Sequence, residues 1–475
     1  MASPVCTRAK TRATRNFSLQ TVFSARMRKL IATITLVLMA TLVPGAAAQS
    51  DASRSQPAYV PGQLLVRFDG GAEHVLRLPE GVGVSSAEQA LDANPSVAYA
   101  VPNYVAHASS IPDDPGLAGT PGGWERMQWN FLPCGSLCGE STTPLQFQER
   151  GGLNAPEAWD TLKQRDTPAG KGARVAVLDT GVAYMTKKPR FRRSPDFSRK
   201  QFLPGYDFVD KDRQPLDEDG HGTHVTGTIA ERTGNHVGLT GLASRAKIIP
   251  VRVLDSEGFG TARNIAKGIR WAANHRAQVI NMSFEFSLGV NSCGKIKGIC
   301  SAIKYASKKG ALVVAAAGNE NGEPVAYPAG APHVIGVGRT TKDACLASDS
   351  RTGAGLDLVA PGGGFPLLSG CGTDDPLFSR GVPIFQLTLV GAGFTNFGYP
   401  GGYEGTSMAA AHVSGVAALV IGSHLVGNSP AAVECQLEAT ARHGDGQLGQ
   451  PYDPRLFGAG LVDAAAAVKA RAPGC

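Results

Sequence analysis

From about residue 150 onward, short apolar runs alternate with segments whose apolar residues recur at helical spacing. The runs are rich in Val, Ile and Ala, which predicts buried strands at 174–178, 247–254, 279–282 and 311–316. The segments between them predict helices after His221, at 261–275 and at 301–309. This alternation favours an α/β fold with a mainly parallel sheet covered on both faces. Ligands of such sheets bind beyond the carboxyl ends of the strands, where Asp179 and Asn319 occur.

A smaller unit precedes this region. Its pattern predicts a strand at 62–68, a short helix at 87–93 and a second strand at 97–101. Turn-forming residues then dominate as far as Pro115, which indicates a domain boundary near residue 110. We therefore expect a small α+β unit ahead of the larger domain.

The first 48 residues have the composition of a secretory signal peptide. They contain seven Lys and Arg and no Asp or Glu, and an apolar run at 30–43 is followed by three alanines that end at Ala48. A membrane anchor is the alternative, but the run of 14 residues is shorter than the roughly 20 that span a bilayer. Met27, followed by Arg28 and Lys29, is a second candidate initiator. No later apolar run is expected to be long enough to span a membrane, so we predict a secreted protein without membrane contact after cleavage.

The net charge of +7 is entirely that of this leader. The rest of the chain has 39 basic and 39 acidic residues, so its charge indicates no nucleic-acid partner. Loss of the leader also removes Cys6 and leaves eight cysteines, an even number that predicts disulfides in an exported chain. The first candidates are Cys134/Cys138, Cys293/Cys300 and Cys345/Cys371. Buried free thiols are the alternative.

Three segments far apart in the chain each carry one residue of a nucleophilic site. Asp179 lies in VAVLDTGV, His221 in DGHGTHVTGTIA and Ser407 in EGTSMAAAHVSG. A serine hydroxyl is a weak nucleophile at neutral pH, so it needs a base to take its proton and an acid to orient that base. Each of the three lies in a Gly-rich turn beside an apolar element, which can hold a reactive side chain rigidly within reach of solvent. By spacing alone His224 is a candidate base as well.

With these segments in the order Asp, His, Ser, the chain resembles the subtilisin-like serine proteases, the subtilases. The resemblance covers about residues 108–470 and includes the segment at 457–468, which is similar to the family's closing helix. It implies a subtilisin-like three-layer α/β fold for a catalytic domain at 110–475, after a signal peptide at 1–48. It also implies a propeptide at 49–109 that assists folding and inhibits the cleft until it is removed, although this unit is short between Phe68 and Ala87.

The resemblance implies a role for each residue of the site. Ser407 would be the nucleophile, His221 the base that then protonates the leaving amine, and Asp179 the residue that orients the imidazole. Asn319, in VVAAAGNE, would donate its side-chain amide to the oxyanion. The implied activity is that of a secreted, monomeric serine endopeptidase that forms an acyl-enzyme on proteins or peptides and needs no cofactor for its chemistry.

The expected substrate cleft departs from the family pattern. After its Asn-Met the family has Ser-Leu-Gly-Gly, whereas this chain has Ser-Phe-Glu-Phe at 283–286. The implied substrate-binding residues are Ser283, Phe284, Glu285, Ala317, Gly318 and Ala326. Glu285 either turns to solvent or selects basic residues. Small residues at the floor favour a medium or large apolar side chain before the scissile bond.

A loop after His236 is similar to the family's calcium loop. The implied oxygen ligands are the Asn235 side chain, the carbonyls of Thr233, Val237 and Leu239, and the carboxylates of Asp114 and Asp207. As isolated residues, these are equally well explained as polar groups of loops.

Two other function classes stay open. A subtilase-like scaffold would bind peptide strands in the altered cleft without turnover, although the retained set of Asp179, His221, Ser407 and Asn319 argues against it. An esterase is disfavoured because Ser407 lies in Gly-Thr-Ser-Met-Ala, which is not a G-x-S-x-G elbow.

Overall fold

A computed structural model describes residues 59–104, 112–134, 148–287, 289–368, 371, 381–444 and 446–475. The chain divides into two compact units, Met1–Ala108 and Ser109–Cys475. The expected signal peptide at 1–48 lies outside the described residues.

The described part of the first unit is an antiparallel sheet with one helix. Its elements are β1 (Tyr59–Phe68), β2 (Glu73–Arg77), α1 (Val84–Asp92) and β3 (Val97–Tyr104), with the strands in the order β2-β1-β3. Leu64, Val66, Ala87 and Leu91 are buried in its small core. The sequence analysis did not predict β2, because four of its five residues are exposed and no apolar alternation marks it.

The described part of the second unit is built on a seven-stranded sheet in the order β10-β9-β8-β7-β4-β6-β5, with every recorded pair parallel. The strands are β4 (Arg174–Asp179), β5 (Tyr206–Asp207), β6 (Lys247–Arg252), β7 (Val279–Met282), β8 (Leu312–Ala316), β9 (Ile335–Thr340) and β10 (Leu358–Pro361). A separate antiparallel pair consists of β11 (Thr388–Leu389) and β12 (Phe397–Gly398). Strands β7 to β10 are buried at every residue, which is why they are continuous apolar runs without alternation.

Helices cover this sheet and complete the predicted three-layer α/β fold. They are α2 (Ala155–Gln164), α3 (His221–Ala230), α4 (Ala262–Asn274), α5 (Lys297–Lys308), α6 (Thr406–Ser423), α7 (Pro430–Ala439), α8 (Pro454–Phe457) and α9 (Ala464–Lys469). Helices α4 and α5 pack against each other, and α3 packs against α6. Thr261 caps α4 by accepting a hydrogen bond from the Asn264 N–H, so this helix begins where the sequence predicts.

Helix α6 is apolar on all sides and fully buried. It contacts strands β7 to β10 and helices α3 and α7, so none of its faces is exposed to solvent. Within the part of the chain that the structure describes, α6 is the one helix long and apolar enough to cross a membrane, and all of it lies inside the domain. The expectation that no later run reaches that length was therefore wrong for α6.

Disulfides join Cys293 to Cys300, Cys345 to Cys371 and Cys435 to Cys475 among the described residues. The first two pairs confirm the sequence prediction. The third ties α7 to the last residue of the chain, and spacing alone had not indicated it. The expected pair Cys134/Cys138 involves Cys138, which lies outside the described residues.

Candidate active site

The site forms where strands β4, β7 and β8 end. Asp179 is the last residue of β4, and its carboxylate is fully buried. One oxygen, Oδ1, accepts a hydrogen bond from the Thr180 N–H at 2.8 Å and lies 2.7 Å from Nδ1 of His221. The strand end thus holds a carboxylate in fixed contact with an imidazole.

His221 begins helix α3, and its side chain is 25% exposed. The next residue must be Gly222, because a Cβ there would overlap the carbonyl oxygen of Gly181 and lie 3.1 Å from the Cβ of Asp179. The other candidate base, His224, is fully buried, and its Nε2 lies 2.9 Å from the carbonyl oxygen of Ile384. Burial lowers the pKa of His224 to about 3, so its ring is a neutral part of the core.

Three carboxylates favour the charged form of His221. Burial alone would disfavour a charged ring, but the negative charges of Asp179, Asp219 and Asp217 outweigh it and raise the pKa of His221 to about 9. At neutral pH the imidazole of His221 is therefore mostly protonated. The fraction of His221 that can accept a proton increases as the pH rises toward its pKa.

Asp217 organises the turn that precedes His221. Its buried carboxylate accepts hydrogen bonds from the backbone N–H groups of Asp219, Gly220 and Thr223, and from the hydroxyls of Thr180 and Thr223. The sequence analysis missed this residue. The available signal was an Asp just ahead of a helix, where a side-chain oxygen can satisfy free N–H groups.

Ser407 is the second residue of α6 and is 9% exposed. Its hydroxyl donates to the carbonyl of Ser283 at 3.0 Å, and within the described residues it makes no hydrogen bond to His221. Ser283 directly follows β7, and Met282 at the end of that strand is paired with Leu178 of β4, the residue before Asp179. Asp179, His221 and Ser407 therefore meet at one edge of the sheet.

A buried hydrogen-bond chain attaches α6 to the end of β7. The Ser414 hydroxyl donates to Asn281 Oδ1 at 2.8 Å, and Asn281 Nδ2 donates to the Ser283 hydroxyl at 2.9 Å. That hydroxyl donates in turn to the carbonyl of Ser407 at 2.8 Å. The side chain of Ser283, expected to bind substrate, is thus 2% exposed and holds the backbone of Ser407 in place.

Asn319 follows β8 and is half-buried. Its Oδ1 accepts from the N–H of Thr406 at 2.8 Å and from the Thr406 hydroxyl at 3.2 Å. These contacts occupy Oδ1, so the other end of the amide, Nδ2, is the group that can donate. The Asn319 side chain also hydrogen-bonds the Glu285 carboxylate, which favours the ionised form of Glu285.

The remaining expected substrate-binding residues lie around the gap between 283–286 and 317–319. Phe284 and Glu285 are half-buried, whereas Ala317 is fully buried and Ala326 is 5% exposed. The Glu285 carboxylate does not turn to solvent, because its Oε1 accepts from the Asn319 N–H at 3.2 Å. Gly318 has a φ of +113° and lies against this carboxylate, so a side chain there would be strained and would collide with Glu285.

The loop expected to bind calcium lies against two carboxylates. Asp114 accepts from the N–H groups of Gly234 and Asn235 at 2.8 and 3.0 Å. The second is Asp196, which accepts from Asn235 Nδ2 at 2.7 Å and from the Leu239 N–H at 3.0 Å. The sequence analysis did not name Asp196.

Asp207, which the sequence analysis named as a calcium ligand, instead pairs with Arg252 at 3.1 Å.

Asp196 is fully buried, and burial together with the charge of Asp114 raises the pKa of Asp196 to about 8. Burial and the same two carboxylates raise the pKa of the neighbouring Glu231 well above its ordinary value. Buried carboxylates that repel one another beside carbonyl oxygens have the donor chemistry that suits a calcium ion. Over the described ranges, however, no three His, Cys, Asp or Glu residues are grouped as metal ligands.

Comparisons with known proteins show the family to which the chain belongs. The model of the subtilase family matches residues 170–460. The thermophilic serine proteinase of Bacillus sp. (strain AK1) is 32% identical over 400 residues, which are 79% of this chain and 82% of that protein. Thermitase of Thermoactinomyces vulgaris is 35% identical over 289 residues, which are 61% of this chain and 86% of that protein.

A solved protease structure from Pseudoalteromonas arctica PAMC 21717 is similar with a TM-score of 0.57 and 31% identity, over 76% of this chain and 99% of that one. The family match extends from just before β4 to just before α9 and so includes every strand of the central sheet. The chain therefore belongs to the subtilase family and is a serine endopeptidase of the subtilisin type.

Proposed function

We propose that Ser407, His221 and Asp179 hydrolyse peptide bonds through an acyl-enzyme. The observation that carries this proposal is the 2.7 Å contact between His221 Nδ1 and the buried Asp179 carboxylate, at the sheet edge where Ser407 begins a helix. A neutral imidazole that donates its Nδ1–H to a carboxylate presents an unprotonated Nε2, which can act as a base.

The reaction starts when the Ser407 hydroxyl leaves the Ser283 carbonyl and turns toward His221. Nε2 takes the proton while Oγ bonds to the substrate carbonyl carbon, and the electron pair of the C=O bond moves to its oxygen. The C–N bond then breaks, and His221 gives its proton to the leaving nitrogen. Water attacks the resulting ester by the same steps, which releases the acid and restores the hydroxyl.

The oxyanion is stabilised by two donors in this proposal. One is Nδ2 of Asn319, the amide's donor end, since Oδ1 accepts the bonds from Thr406. The other is the N–H of Ser407, which lies in the first turn of α6, where N–H groups lack intrahelical acceptors. Loss of one such donor costs about 3 kcal/mol of transition-state stabilisation, a magnitude established in subtilisin.

The proposal includes export and activation by cleavage. Residues 1–48 are the signal peptide, residues 49–109 a propeptide that inhibits the enzyme, and residues 110–475 the mature enzyme, which acts as a secreted monomer. The basic leader and its apolar run support export. The disulfides of the second unit are typical of an oxidising compartment. The sheet-and-helix core around Leu64 and Leu91 supports a propeptide that folds as a unit.

Calcium is proposed as a stabilising ion and takes no part in the chemistry. Its ligands would be the carboxylates of Asp114 and Asp196, the side chain of Asn235, and the carbonyls of Thr233, Val237 and Leu239. A cation among these oxygens would relieve the repulsion that raises the pKa of Asp196.

Casein hydrolysis by the processed protein tests the proposed function. The wild type should digest casein, and Ser407→Ala should reduce the rate to background because the nucleophile is lost. Ser423→Ala, at the other end of the same helix, is the matched control and should retain activity, because its hydroxyl bonds only to the neighbouring backbone. Hydrolysis that persists in Ser407→Ala would refute the proposal, and a processed wild type that binds peptides without hydrolysis would favour the scaffold alternative.

A further inference from the structure

A narrow gap opens beside Ser407 where β7 and β8 stop pairing. The last paired residues are Met282 and Ala315. Beyond them, the segments 283–286 and 317–319 form two walls of the gap. Its base is closed by two backbone hydrogen bonds, from Phe286 N to Tyr327 O and from Ala326 N to Ala317 O, both 2.7 Å. The Ser407 hydroxyl reaches the first wall at the Ser283 carbonyl.

The side chain of Glu285 crosses this gap from one wall to the other. Its Oε1 accepts the Asn319 N–H at 3.2 Å, and its Oε2 occupies the space where a Cβ on residue 318 would lie. The absence of a side chain at Gly318 is therefore what leaves room for the carboxylate. A substrate side chain that enters the gap next to Ser407 must meet this group.

Among the described residues no ion pair within 4.0 Å is recorded for Glu285. The charge of Arg351 favours the ionised form of Glu285, but this guanidinium is 5% exposed and donates its hydrogen bonds to the carbonyls of Pro324 and Glu320 at 2.7 and 2.9 Å. Glu285 is also half-buried, so its attraction to an incoming cation is weakened less by water than that of a surface pair. A hydrogen bond between two charged groups is stronger than one between neutral groups.

We propose that Glu285 makes the enzyme select Lys or Arg as the residue before the scissile bond. This inference rests on the proposed function, because it assigns the gap to the substrate residue nearest Ser407. The methylene stem of Lys or Arg would lie along the half-buried Phe284, and its charged end would reach the Glu285 carboxylate. Such selection differs from the apolar preference that the small floor residues suggest.

The test uses peptides that are identical except before the scissile bond, where they carry Lys, Arg, Met or Leu. Met is the neutral match to the length of Lys. For the wild type, kcat/KM should be roughly 10- to 100-fold higher with Lys than with Met. Glu285→Gln keeps the shape but removes the charge, and should reduce this ratio to within about 3-fold. Glu285→Asp should retain part of the preference.

Glu320→Gln is the matched control, because Glu320 is a nearby but exposed carboxylate. Its removal should change the Lys-to-Met ratio by less than about 3-fold, since solvent screens exposed charges. The inference is overturned if the wild type prefers Met or Leu to Lys. It is also overturned if Glu285→Gln lowers kcat/KM equally for all peptides, which would mean that Glu285 acts only on Asn319.

Binding of the same peptides to Ser407→Ala separates this inference from the proposed catalysis. If the Lys peptide binds more tightly than the Met peptide, and the difference disappears when Glu285→Gln is added, the selection is supported. This conclusion holds even if the wild type hydrolyses none of the peptides, a result that would refute only the proposed function. Equal binding of the Lys and Met peptides by Ser407→Ala, together with equal hydrolysis by the wild type, refutes the selection and leaves the proposed function intact.

Discussion

The raised pKa of His221 predicts how activity depends on pH. With a pKa of about 9, only about 1% of the imidazole is neutral at pH 7, so kcat/KM should rise tenfold per pH unit up to this value. Asp219→Asn removes one of the charges that stabilise the imidazolium. Because the protonated form is then less favoured, the pKa falls, and the acid limb of the profile should move to lower pH.

The size of the shift follows from the position of Asp219. Its exposed carboxylate accepts the backbone N–H of His221 at 2.9 Å, and we take about 6 Å as the order of magnitude for the separation of its charge from the ring. At that distance the interaction is about 0.7 kcal/mol in bulk water and about 1.4 kcal/mol at half its dielectric constant. The pKa should therefore fall by about 0.5 to 1 unit, and kcat/KM at pH 7 should rise roughly three- to tenfold.

The assay is kcat/KM with one neutral peptide from pH 5 to 11 at constant ionic strength. Asp166→Asn is the matched control, because Asp166 is exposed and is not among the charges that raise the His221 pKa. Its profile should match the wild type. An unchanged or upward-shifted acid limb in Asp219→Asn, or a wild-type limb near pH 6.5, would refute the reasoning.

Two further predictions concern stability. Ser283→Ala leaves the Asn281 amide and the Ser407 carbonyl without their hydrogen-bond partner. The free energy of unfolding should therefore fall by about 1–3 kcal/mol. The drop in kcat/KM should also be larger for Ser283→Ala than for Ser414→Ala. Urea denaturation in the Ser407→Ala background measures the stability without self-digestion, and equal effects of the two variants on kcat/KM would contradict the anchoring role of Ser283. EDTA should shorten the half-life at elevated temperature, and Asp196→Asn should abolish this sensitivity whereas Asp207→Asn should not. Sensitivity that disappears with Asp207 instead would contradict the proposed ligand set.

Much of the fold could be predicted because buried parallel strands leave a clear trace in sequence. The run at 279–282 coincides with β7, and the predicted helix at 261–275 brackets α4. Elements with a weak hydrophobic pattern were either not predicted or predicted with bounds that are too short. Strand β2 is almost wholly exposed, and α5 starts four residues before its prediction, at Lys297, beside the disulfide from Cys293 to Cys300.

The sequence was enough to predict the motifs that contain the site residues, but not the hydrogen bonds that hold those residues in place. Asp179, His221 and Ser407 lie in recognisable segments, whereas Asp217 and Asn281 act through hydrogen bonds to residues that no pattern connects with them. The choice between Asp196 and Asp207 shows the same limit. Nothing in the sequence marks one of them as the better ligand, and only the fold shows that Arg252, from the neighbouring strand, pairs with Asp207.

The central claim is that Ser407 is the nucleophile activated by His221. The most direct measurement is to treat the processed protein with a serine-reactive phosphonate and locate the adduct by peptide mass spectrometry. The account predicts one adduct per chain, on Ser407, absent in Ser407→Ala and formed far more slowly in His221→Ala. An unlabelled wild type, or an adduct on another serine such as Ser414, would contradict it.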